Sequence, residues 1–460
     1  GLNALTSDTL GSKSTAIGRS ALAIQNFGTA TDTYNTAVGY FAGVNITTAV
    51  HNTLIGGLAG DALTTGDSNI AVGLSALTSD TKGERAVAIG EGALASQNFT
   101  TSTNNYNVAI GYNAGYNVTT GQNNAIVGGI AADSLTTGTA NAVLGGAALG
   151  TDTKGERNVA VGYGSLETQN FTGTTIQIYN TACGYAAGSV ITTGIRNTLV
   201  GGIAGDALID ADFNVAVGFD ALGADRYGSA SVAVGYQALE RQNFATATDS
   251  LNTAVGYNAG ENVTTGTQNT LLGAIAGDNI TDGYENTLLG YNINAGGSGA
   301  VRQIGLGNNF TIGDNNQVRI GTSQGTASLS IDGSDTSWAA ASDERLKKDV
   351  ADSTVGLSFV NALRPVTFKW NAKNAIANTL PQYDADSSDP VYGEGKAHHG
   401  FIAQEVKTVI DANSDVVDGH NIWLEDSDGT QQVAPSALIP MLVKAIQELS
   451  AEVEKLKSGG

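Results

Sequence analysis

The sequence predicts a mainly β protein in which a long repetitive shaft is followed by a C-terminal part of different architecture. All five prolines lie after residue 341, whereas 53 of the 61 glycines lie before it, and the first 300 residues repeat themselves. Self-similarity at a short period indicates stacked units rather than a single globular core. The 460 residues, 41% of them apolar, are enough for at least two folded domains.

The shaft is predicted from a block that occurs four times. The segments NTAVGY, NVAIGY, NTACGY and NTAVGY begin at Asn35, Asn107, Asn180 and Asn252, and three related segments accompany each. The glycines that end these sixteen segments are Gly18, Gly39, Gly56, Gly73, Gly90, Gly111, Gly128, Gly145, Gly162, Gly184, Gly201, Gly218, Gly235, Gly256, Gly273 and Gly290. Most are 17 residues apart, which suits one coil of a β-solenoid and is too short for a helical repeat.

Each coil has apolar residues on two adjacent positions. The residue before each glycine is apolar, and the one before that is Ala, Leu, Ile or Val. Adjacent strand residues point to opposite faces, so one face fills the coil and the other is expected to meet neighbouring chains in a trimer. Most coils also place Asn three residues ahead of the apolar position, as at Asn35 and Asn52, where stacked amides can form hydrogen bonds along the axis.

Cys183 occupies the apolar position of its coil. We interpret it as a core residue in place of Val or Ile, without a catalytic or metal role. As the only cysteine it can form no intrachain disulfide, which is consistent with assembly in a reducing cytoplasm.

Four intervals between glycines are enlarged to 21 or 22 residues, and each carries the tripeptide Gln-Asn-Phe and a Thr-rich loop. With coils stacked at about 4.8 Å, these loops recur about every 19 Å, a spacing suited to a polyvalent polysaccharide receptor. The alternative is that Phe folds back as a lid over the coil. The candidate receptor-binding residues are Gln25, Asn26, Phe27, Gln97, Asn98, Phe99, Gln169, Asn170, Phe171, Gln242, Asn243 and Phe244.

The segments N-x-A-V-G-Y and S-V-A-V-G-Y resemble the head repeats of trimeric autotransporter adhesins, over about residues 14 to 291. The resemblance implies a trimeric, left-handed parallel β-roll, and we assign residues 1–291 to this shaft. The segments VRQIGLG and QVRIGTS are divergent coils of a neck, which we place at residues 292–341.

The C-terminal part contains three informative segments: SDERLKKDV from Ser342, GFIAQEV at 400–406, and SALIPMLVKAIQELSAEVEKLK at 436–457. Together and in this order they resemble the intramolecular chaperone domain of phage endosialidase tailspikes and tail fibres, over residues 342–460. The resemblance implies an α+β domain that drives trimerisation of the fibre and then releases itself by serine–lysine self-cleavage. Carried over, Ser342 is the nucleophile, Lys347 the general base, and Ala341–Ser342 the cleavage site.

Elementary chemistry is compatible with this assignment but does not establish it. A serine can attack the preceding carbonyl if a neutral amine removes its proton, and lysine becomes neutral through desolvation or nearby cations. Ser342 also has the position of a helix N-cap, and an offset of five on an ideal helix turns Lys347 about 140° away. Direct contact therefore requires local irregularity or a partner chain. Lys348 is the alternative base.

The last segment has the spacing of a coiled coil, with apolar residues alternately three and four apart. The predicted trimerisation residues are Ile439, Leu442, Ile446, Leu449, Val453 and Leu456. His398 and His399 have no accompanying ligand pattern, so we predict a surface pair, no metal site and no cofactor.

We therefore expect a phage tail-fibre or tailspike protein that binds a host surface receptor and is assembled in the host cytoplasm into the virion. Because the chain begins at Gly1, we expect a further N-terminal part that attaches it to the tail or baseplate. The net charge of −21 argues against nucleic acid or an anionic membrane as partner, and no apolar run is long enough to insert into a membrane. A bacterial trimeric adhesin and a polysaccharide depolymerase are the alternatives.

Overall fold

The chain divides into two compact units, Gly1–Ala341 and Ser342–Gly460, which are described separately. The computed structural model describes residues 1–171, 176–333, 339–340, 342–392, 395–416, 421–426 and 429–459.

The first unit is a β-solenoid. Among the residues that the structure describes, eighteen short strands, one per coil, pair in parallel along the shaft. They are Thr15–Ile17, Thr36–Val38, Thr53–Ile55, Ile70–Val72, Val87–Ile89, Val108–Ile110, Ala125–Val127, Ala142–Leu144, Val159–Val161, Thr181–Cys183, Thr198–Val200, Val215–Val217, Val232–Val234, Thr253–Val255, Thr270–Leu272, Thr287–Leu289, Ile304–Gly307 and Gln317–Thr322. The sixteen predicted coils are thus followed by two more in the predicted neck.

From Thr36–Val38 to Thr287–Leu289, each strand on the main sheet has one buried residue between two outward ones. Thr36–Val38 pairs with Thr53–Ile55, so that Ala37 lies beside Leu54, and both are fully buried. Val38 and Ile55 point to the opposite face, where Ile55 is exposed. Because these coils repeat the alternation, the shaft has a narrow interior mainly of Ala and Leu and an outer sheet face whose strands end in an apolar residue and often begin with Thr.

Cys183 lies on that outer face. Its strand Thr181–Cys183 buries the central Ala182, and the thiol is exposed. The expectation that Cys183 is a core residue is therefore wrong, because the position before the glycine faces out of the coil.

Beyond the last parallel strand the neck becomes antiparallel. Gly325–Ser330 forms a hairpin with Gln317–Thr322, and Ala339–Ala340 pairs with Ala327 and Ser328. The solenoid sheet therefore ends in a hairpin instead of another coil.

Pairs of two-residue strands accompany the four enlarged intervals, and a fifth pair lies in the neck. The pairs are Gly11–Ser12 with Thr31–Asp32, Gly83–Glu84 with Thr103–Asn104, Gly155–Glu156 with Ile176–Gln177, Gly228–Ser229 with Thr248–Asp249, and Ile293–Asn294 with Phe310–Thr311.

In its described residues the second unit combines three α-helices, three 3-10 helices and two two-stranded antiparallel sheets. The helices are α1 (Leu357–Ala362), α2 (Ala403–Asp411) and α3 (Ile439–Ser458), and the 3-10 helices are Glu344–Leu346, Lys373–Ala375 and Pro435–Leu438. The antiparallel pairs are Val366–Phe368 with His398–Gly400 and Trp423–Glu425 with Gln431–Val433.

The core of this unit joins α1, α2 and the start of α3. Phe359 of α1, Ile410 of α2 and Met441 of α3 belong to one buried cluster. Glu448 of α3 accepts a hydrogen bond from the backbone N–H of Leu357 at 2.8 Å, which satisfies a free donor at the start of α1. Helix α3 is therefore fixed to its own unit along one side.

The corner glycines leave no room for a side chain. Gly111 has φ of +140°, and a Cβ there would lie 2.4 Å from the carbonyl oxygen of Gly128 in the next coil. We expect Gly111→Ala to lower the free energy of unfolding of the shaft by about 2 kcal/mol or more, because strain and overlap with backbone add. Thermal and denaturant unfolding of the purified protein measure this.

The matched control is Gly129→Ala, because a Cβ at Gly129 meets nothing within 4 Å and φ there is not positive. Equal stability of the two variants would contradict the close-contact explanation.

Candidate functional site

The two residues assigned to the self-cleavage reaction are in direct contact. The ammonium Nζ of Lys347 donates a hydrogen bond to Ser342 Oγ at 2.8 Å. This distance is within the range over which a general base can take a proton from a hydroxyl. The pair can therefore activate a serine, provided that the lysine amine is neutral.

The contact forms because the segment between the two residues is a single tight turn. Glu344–Leu346 is a 3-10 helix of three residues, and the residues on either side of it, Asp343 and Lys347, are extended. The backbone N–H of Lys347 closes the turn on the carbonyl of Glu344 at 3.0 Å. The rotation of an ideal α-helix does not apply to this geometry, and the local irregularity brings the Lys347 side chain to Ser342.

Asp343, and not Ser342, caps this turn. Its carboxylate accepts the backbone N–H of Arg345 at 2.9 Å. The expectation that Ser342 is a helix N-cap is wrong, because the negatively charged Asp343 carboxylate, one residue later, accepts the backbone N–H that a cap binds. The Ser342 hydroxyl is consequently available to Lys347.

The neighbouring charges pair with one another. The Arg345 guanidinium binds the Asp343 carboxylate at 2.5 Å and lowers the pKa of that carboxyl through its hydrogen bonds. Lys348, the alternative base, lies 3.8 Å from the Asp349 carboxylate. Of the two lysines, Lys347 is the one whose hydrogen bond to Ser342 Oγ is observed.

Both side chains of the pair are exposed in the single chain. A solvated ammonium holds its proton, and a lysine acts as a base only where desolvation or nearby cations favour the neutral amine. The pair is thus positioned for chemistry while still in water. Ala341, on the other side of the predicted scissile bond, lies outside the described residues.

Helix α3 has one side buried in its own unit and another side exposed. Met441 and Ala445 are buried. The six predicted trimerisation residues are all exposed by 40 to 79%: Ile439, Leu442, Ile446, Leu449, Val453 and Leu456. A helix face with this much exposed apolar surface is suited to a helical partner, and the coiled coil stays a prediction.

The Gln-Asn-Phe side chains do not form an exposed receptor surface as a group. All four glutamines are fully buried. The side chains of the four phenylalanines are at most 7% exposed: Phe27, Phe99, Phe171 and Phe244. The proposal that Gln25, Gln97, Gln169, Gln242 and these four phenylalanines bind a receptor is therefore wrong, and Phe acts as the lid. The asparagines between them, Asn26, Asn98, Asn170 and Asn243, are exposed, and their receptor role stays a prediction.

The buried glutamine is the centre of a hydrogen-bond network in each block. Gln97 Nε2 donates to Asp80 Oδ2 at 2.6 Å, and Gln97 Oε1 accepts from Asn107 Nδ2 at 2.9 Å. Asp80 Oδ1 accepts the backbone N–H groups of Gly83 and Phe99, while burial raises the pKa of the Asp80 carboxyl. The other blocks contain Asp8, Gln25 and Asn35; Asp152, Gln169 and Asn180; and Asp225, Gln242 and Asn252.

The histidine pair does not form a site with other ligands. His398 and His399 lie in the strand His398–Gly400, and the His398 ring is 5.7 Å from that of Phe368. In the part of the chain that the structure describes, no three His, Cys, Asp or Glu side chains are grouped to hold a metal ion. No helix among the described residues is long and apolar enough to cross a membrane.

The fold and the pair define a β-solenoid shaft protein with a distinct C-terminal unit. Residues 342–415 match the model of a peptidase family described as the chaperone of endosialidase. The match starts at Ser342 and includes Lys347 and helix α2. This family implies a self-cleaving peptidase domain in the C-terminal unit. Comparison with curated proteins gives no match, and neither does comparison with solved structures.

Burial of the Gln-Asn-Phe phenylalanines predicts a structural effect when they are removed. Phe99→Ala should destabilise the shaft by about 3 kcal/mol, because it deletes a buried aromatic side chain and leaves a cavity. Asn98→Ala, at the exposed neighbouring position, should change stability by no more than about 0.5 kcal/mol. Denaturant unfolding of both variants provides the comparison.

A Phe99→Ala protein that is as stable as the parent but binds bacterial cells less well would contradict the lid assignment and restore a receptor role for this ring.

Proposed function

We propose that the chain is a trimeric fibre protein whose C-terminal unit promotes assembly of the shaft and then releases itself by cutting between Ala341 and Ser342. The observation that carries this proposal is the 2.8 Å hydrogen bond between Lys347 Nζ and Ser342 Oγ at the first residues of the family match. In this proposal Ser342 is the nucleophile, Lys347 the general base, and the reaction is a single turnover on the chain itself.

The reaction proceeds in two balanced steps. The neutral Lys347 amine takes the Ser342 hydroxyl proton while Oγ attacks the Ala341 carbonyl carbon, and the resulting ammonium returns the proton to the leaving amide nitrogen. The peptide bond is thereby exchanged for an ester between Ala341 and the Ser342 side chain. Water then hydrolyses the ester, giving a carboxylate on Ala341 and a free hydroxyl and α-amino group on Ser342.

Coupling of this reaction to assembly follows from solvation. In the single chain the Ser342–Lys347 pair is exposed to solvent. Burial of the pair between three copies would favour the neutral amine and exclude water from the first step. Cutting would then follow assembly, so that the chaperone is released only from a completed fibre.

Two exposed apolar surfaces support the trimeric state. The outer sheet face of the shaft ends its strands in Val, Ile or Leu in coil after coil, and the outer side of α3 exposes Leu442 and Leu449. Monomeric proteins rarely leave contiguous apolar surfaces of such length in water. In a trimer with threefold symmetry, each copy would cover the outer sheet face and the exposed side of α3 of its neighbours.

We place this fibre in a phage tail, where the shaft would contact a host surface receptor and an N-terminal part would attach to the tail or baseplate. A rigid solenoid that ends in an endosialidase-type chaperone supports this setting. The exposed Asn26, Asn98, Asn170 and Asn243 offer regularly spaced amides to a polysaccharide. Assembly would take place in the host cytoplasm and the mature shaft would be part of the virion.

The nucleophile and base assignments predict different products for three variants. The parent chain should give a trimeric fragment ending at Ala341 and a released fragment beginning at Ser342. Ser342→Ala and Lys347→Ala should both give full-length trimers, because each removes one partner of the reaction and leaves the coiled coil. Lys348→Ala, the matched control, should still be cut. Intact-mass analysis and sedimentation identify these products.

A parent trimer that stays full length under native conditions rules out self-cleavage, and cutting of Lys347→Ala at the parent rate rules out Lys347 as the base.

The exposed side of α3 predicts a separate assembly defect. Replacing Leu442 and Leu449 together by Ser should lower the yield of trimeric, cut shaft severalfold, because the apolar seam is lost before chemistry begins. The control replaces Gln447 and Glu454 by Ser, since both are exposed polar residues of the same helix. Sedimentation of the soluble fraction distinguishes trimer from monomer, and equal trimer yields for the two double variants would contradict a role for the seam.

A further inference from the structure

The outer sheet face of each coil is bordered by two corner residues. We call the residue just before the ladder asparagine the leading corner and the residue just after the corner glycine the trailing corner. In the coil of strand Val108–Ile110 the leading corner is Tyr106 and the trailing corner is Tyr112. The extended strand separates them, so they lie on opposite edges of the same face.

Large apolar residues occupy both corners in the second coil of every block, and in the fourth coil of the third block, which has Phe213 and Phe219, they do so as well. The pairs of the second coils are Tyr34 with Tyr40, Tyr106 with Tyr112, Tyr179 with Tyr185, and Leu251 with Tyr257. All eight side chains are 45 to 64% exposed. Exposed aromatic rings at both edges of the same coil face indicate a surface that binds a partner outside the chain.

The leading-corner rings are held in place by cations from the preceding coil. Lys13 lies 5.0 Å from the centre of the Tyr34 ring, and Arg157 lies 5.5 Å from that of Tyr179 and donates to its hydroxyl at 2.9 Å. On the other edge, the rings of Tyr163 and Tyr185 are stacked with centres 6.1 Å apart. Rings fixed in this way lose little conformational entropy when a partner covers them.

The following coil leaves space at the trailing edge. Its trailing corner is a glycine or an alanine in every block: Gly57, Gly129, Gly202 and Ala274. At Gly129 a Cβ would meet nothing within 4 Å. In the second block the trailing edge therefore presents the Tyr112 ring beside an open position, which can receive a large side chain from outside; at Gly57 and Gly202 a Cβ would be 3.4 Å from Leu74 and Phe219 of the next coil.

A second copy of the chain fits these features better than a sugar chain does. In the second block the face between the two corners carries Val108 and Ile110, followed by Ala125 and Val127, and these side chains offer no hydrogen bonds to a hydrated glycan. In a closed ring of parallel copies the leading edge of one copy faces the trailing edge of the next, which is a heterologous contact that closes by rotation.

We propose that the corner residues of the second coil in each block form an aromatic girdle between copies, in which the leading corner of one chain packs on the trailing corner of its neighbour. The girdle rests on the trimeric shaft of the proposed function. It adds the residues that decide which edges of neighbouring chains meet and at which coil they meet. The girdles of the first two blocks would oppose a shift of the chains by one coil, because the trailing corners of the adjacent coils there are charged or small: Arg19, Gly57, Glu91 and Gly129.

Disulfide trapping tests the girdle directly. In a Cys183→Ser background, Tyr106→Cys is combined with a cysteine at the trailing corner of the same, the preceding or the following coil: Tyr112→Cys, Glu91→Cys or Gly129→Cys. Within one chain the corners are separated by roughly 15 Å of extended strand, beyond the Cα separation that a disulfide permits. Bonds therefore form only between copies.

We expect one of the three pairs to give a covalent trimer as the main oxidised product on a denaturing, non-reducing gel. Each single-cysteine variant should run as a monomer there, because a heterologous contact does not bring identical corners together. Sedimentation of the reduced variants establishes whether the trimer itself has formed.

A trimer in which all three pairs remain as free, titratable thiols overturns the girdle while leaving the trimeric fibre intact. A monomer of the parent chain in sedimentation overturns the trimeric state of the proposed function instead, so that the two failures are distinguishable.

Discussion

Most coils of the shaft close on a buried asparagine, and the order of the solenoid depends on the hydrogen bonds of that amide. Asn107 Nδ2 donates to the carbonyl of Gly121 across the coil at 2.7 Å, and Asn107 Oδ1 accepts the backbone N–H of Asn124 in the next coil at 3.0 Å. Buried polar groups need such partners, and a coil interior of Ala and Leu provides none. The amide therefore fixes both the shape of one coil and its register on the next, and this register aligns the outward residues into columns.

The enlarged intervals keep this register by adding a second polar network. An insertion of four or five residues next to the ladder exposes backbone groups that the ordinary coil satisfies. Asp80, Gln97 and Asn107 satisfy them in sequence, since the carboxylate can only accept, the glutamine donates and accepts, and the asparagine donates. Gln97 and Phe99 are both buried, so these two residues of the tripeptide have an architectural role, while Asn98 between them is exposed.

The coil repeat could be predicted from the sequence because its signal recurs sixteen times, whereas single positions were predicted less well. Gln97 and Phe99 lie in a polar, Thr-rich segment, and composition alone favours exposure for such a segment. The signal that was missed is an aspartate 17 residues before each glutamine, as Asp80 is before Gln97, which puts the two side chains on adjacent coils. Cys183 was assigned to the wrong face because the alternation of residues along a strand does not show which of the two sets faces the interior.

The serine–lysine pair shows a similar limit for local geometry. The order of SDERLKK allowed Ser342 or Asp343 to cap a turn, and propensity hardly separates the two residue types. In the structure Asp343 caps a single 3-10 turn and is also paired with Arg345. The Ser342 hydroxyl is then the partner of Lys347, an arrangement that residue spacing does not reveal.

The two units share one physical property, which is that each is incomplete as a single chain. The shaft exposes an apolar sheet face, α3 exposes an apolar side, and the Ser342–Lys347 pair is positioned but solvated. Covering the first two surfaces is favourable through the hydrophobic effect, at about 25 cal/mol per Å² of apolar area removed from water. Desolvation disfavours the charged form of a lysine. Part of the free energy released by covering the apolar surfaces could therefore offset the cost of burying Lys347 as a neutral base. In the proposed function, assembly energy and chemistry are linked in this way, and a chain that had not assembled would lack the free energy that makes its serine reactive.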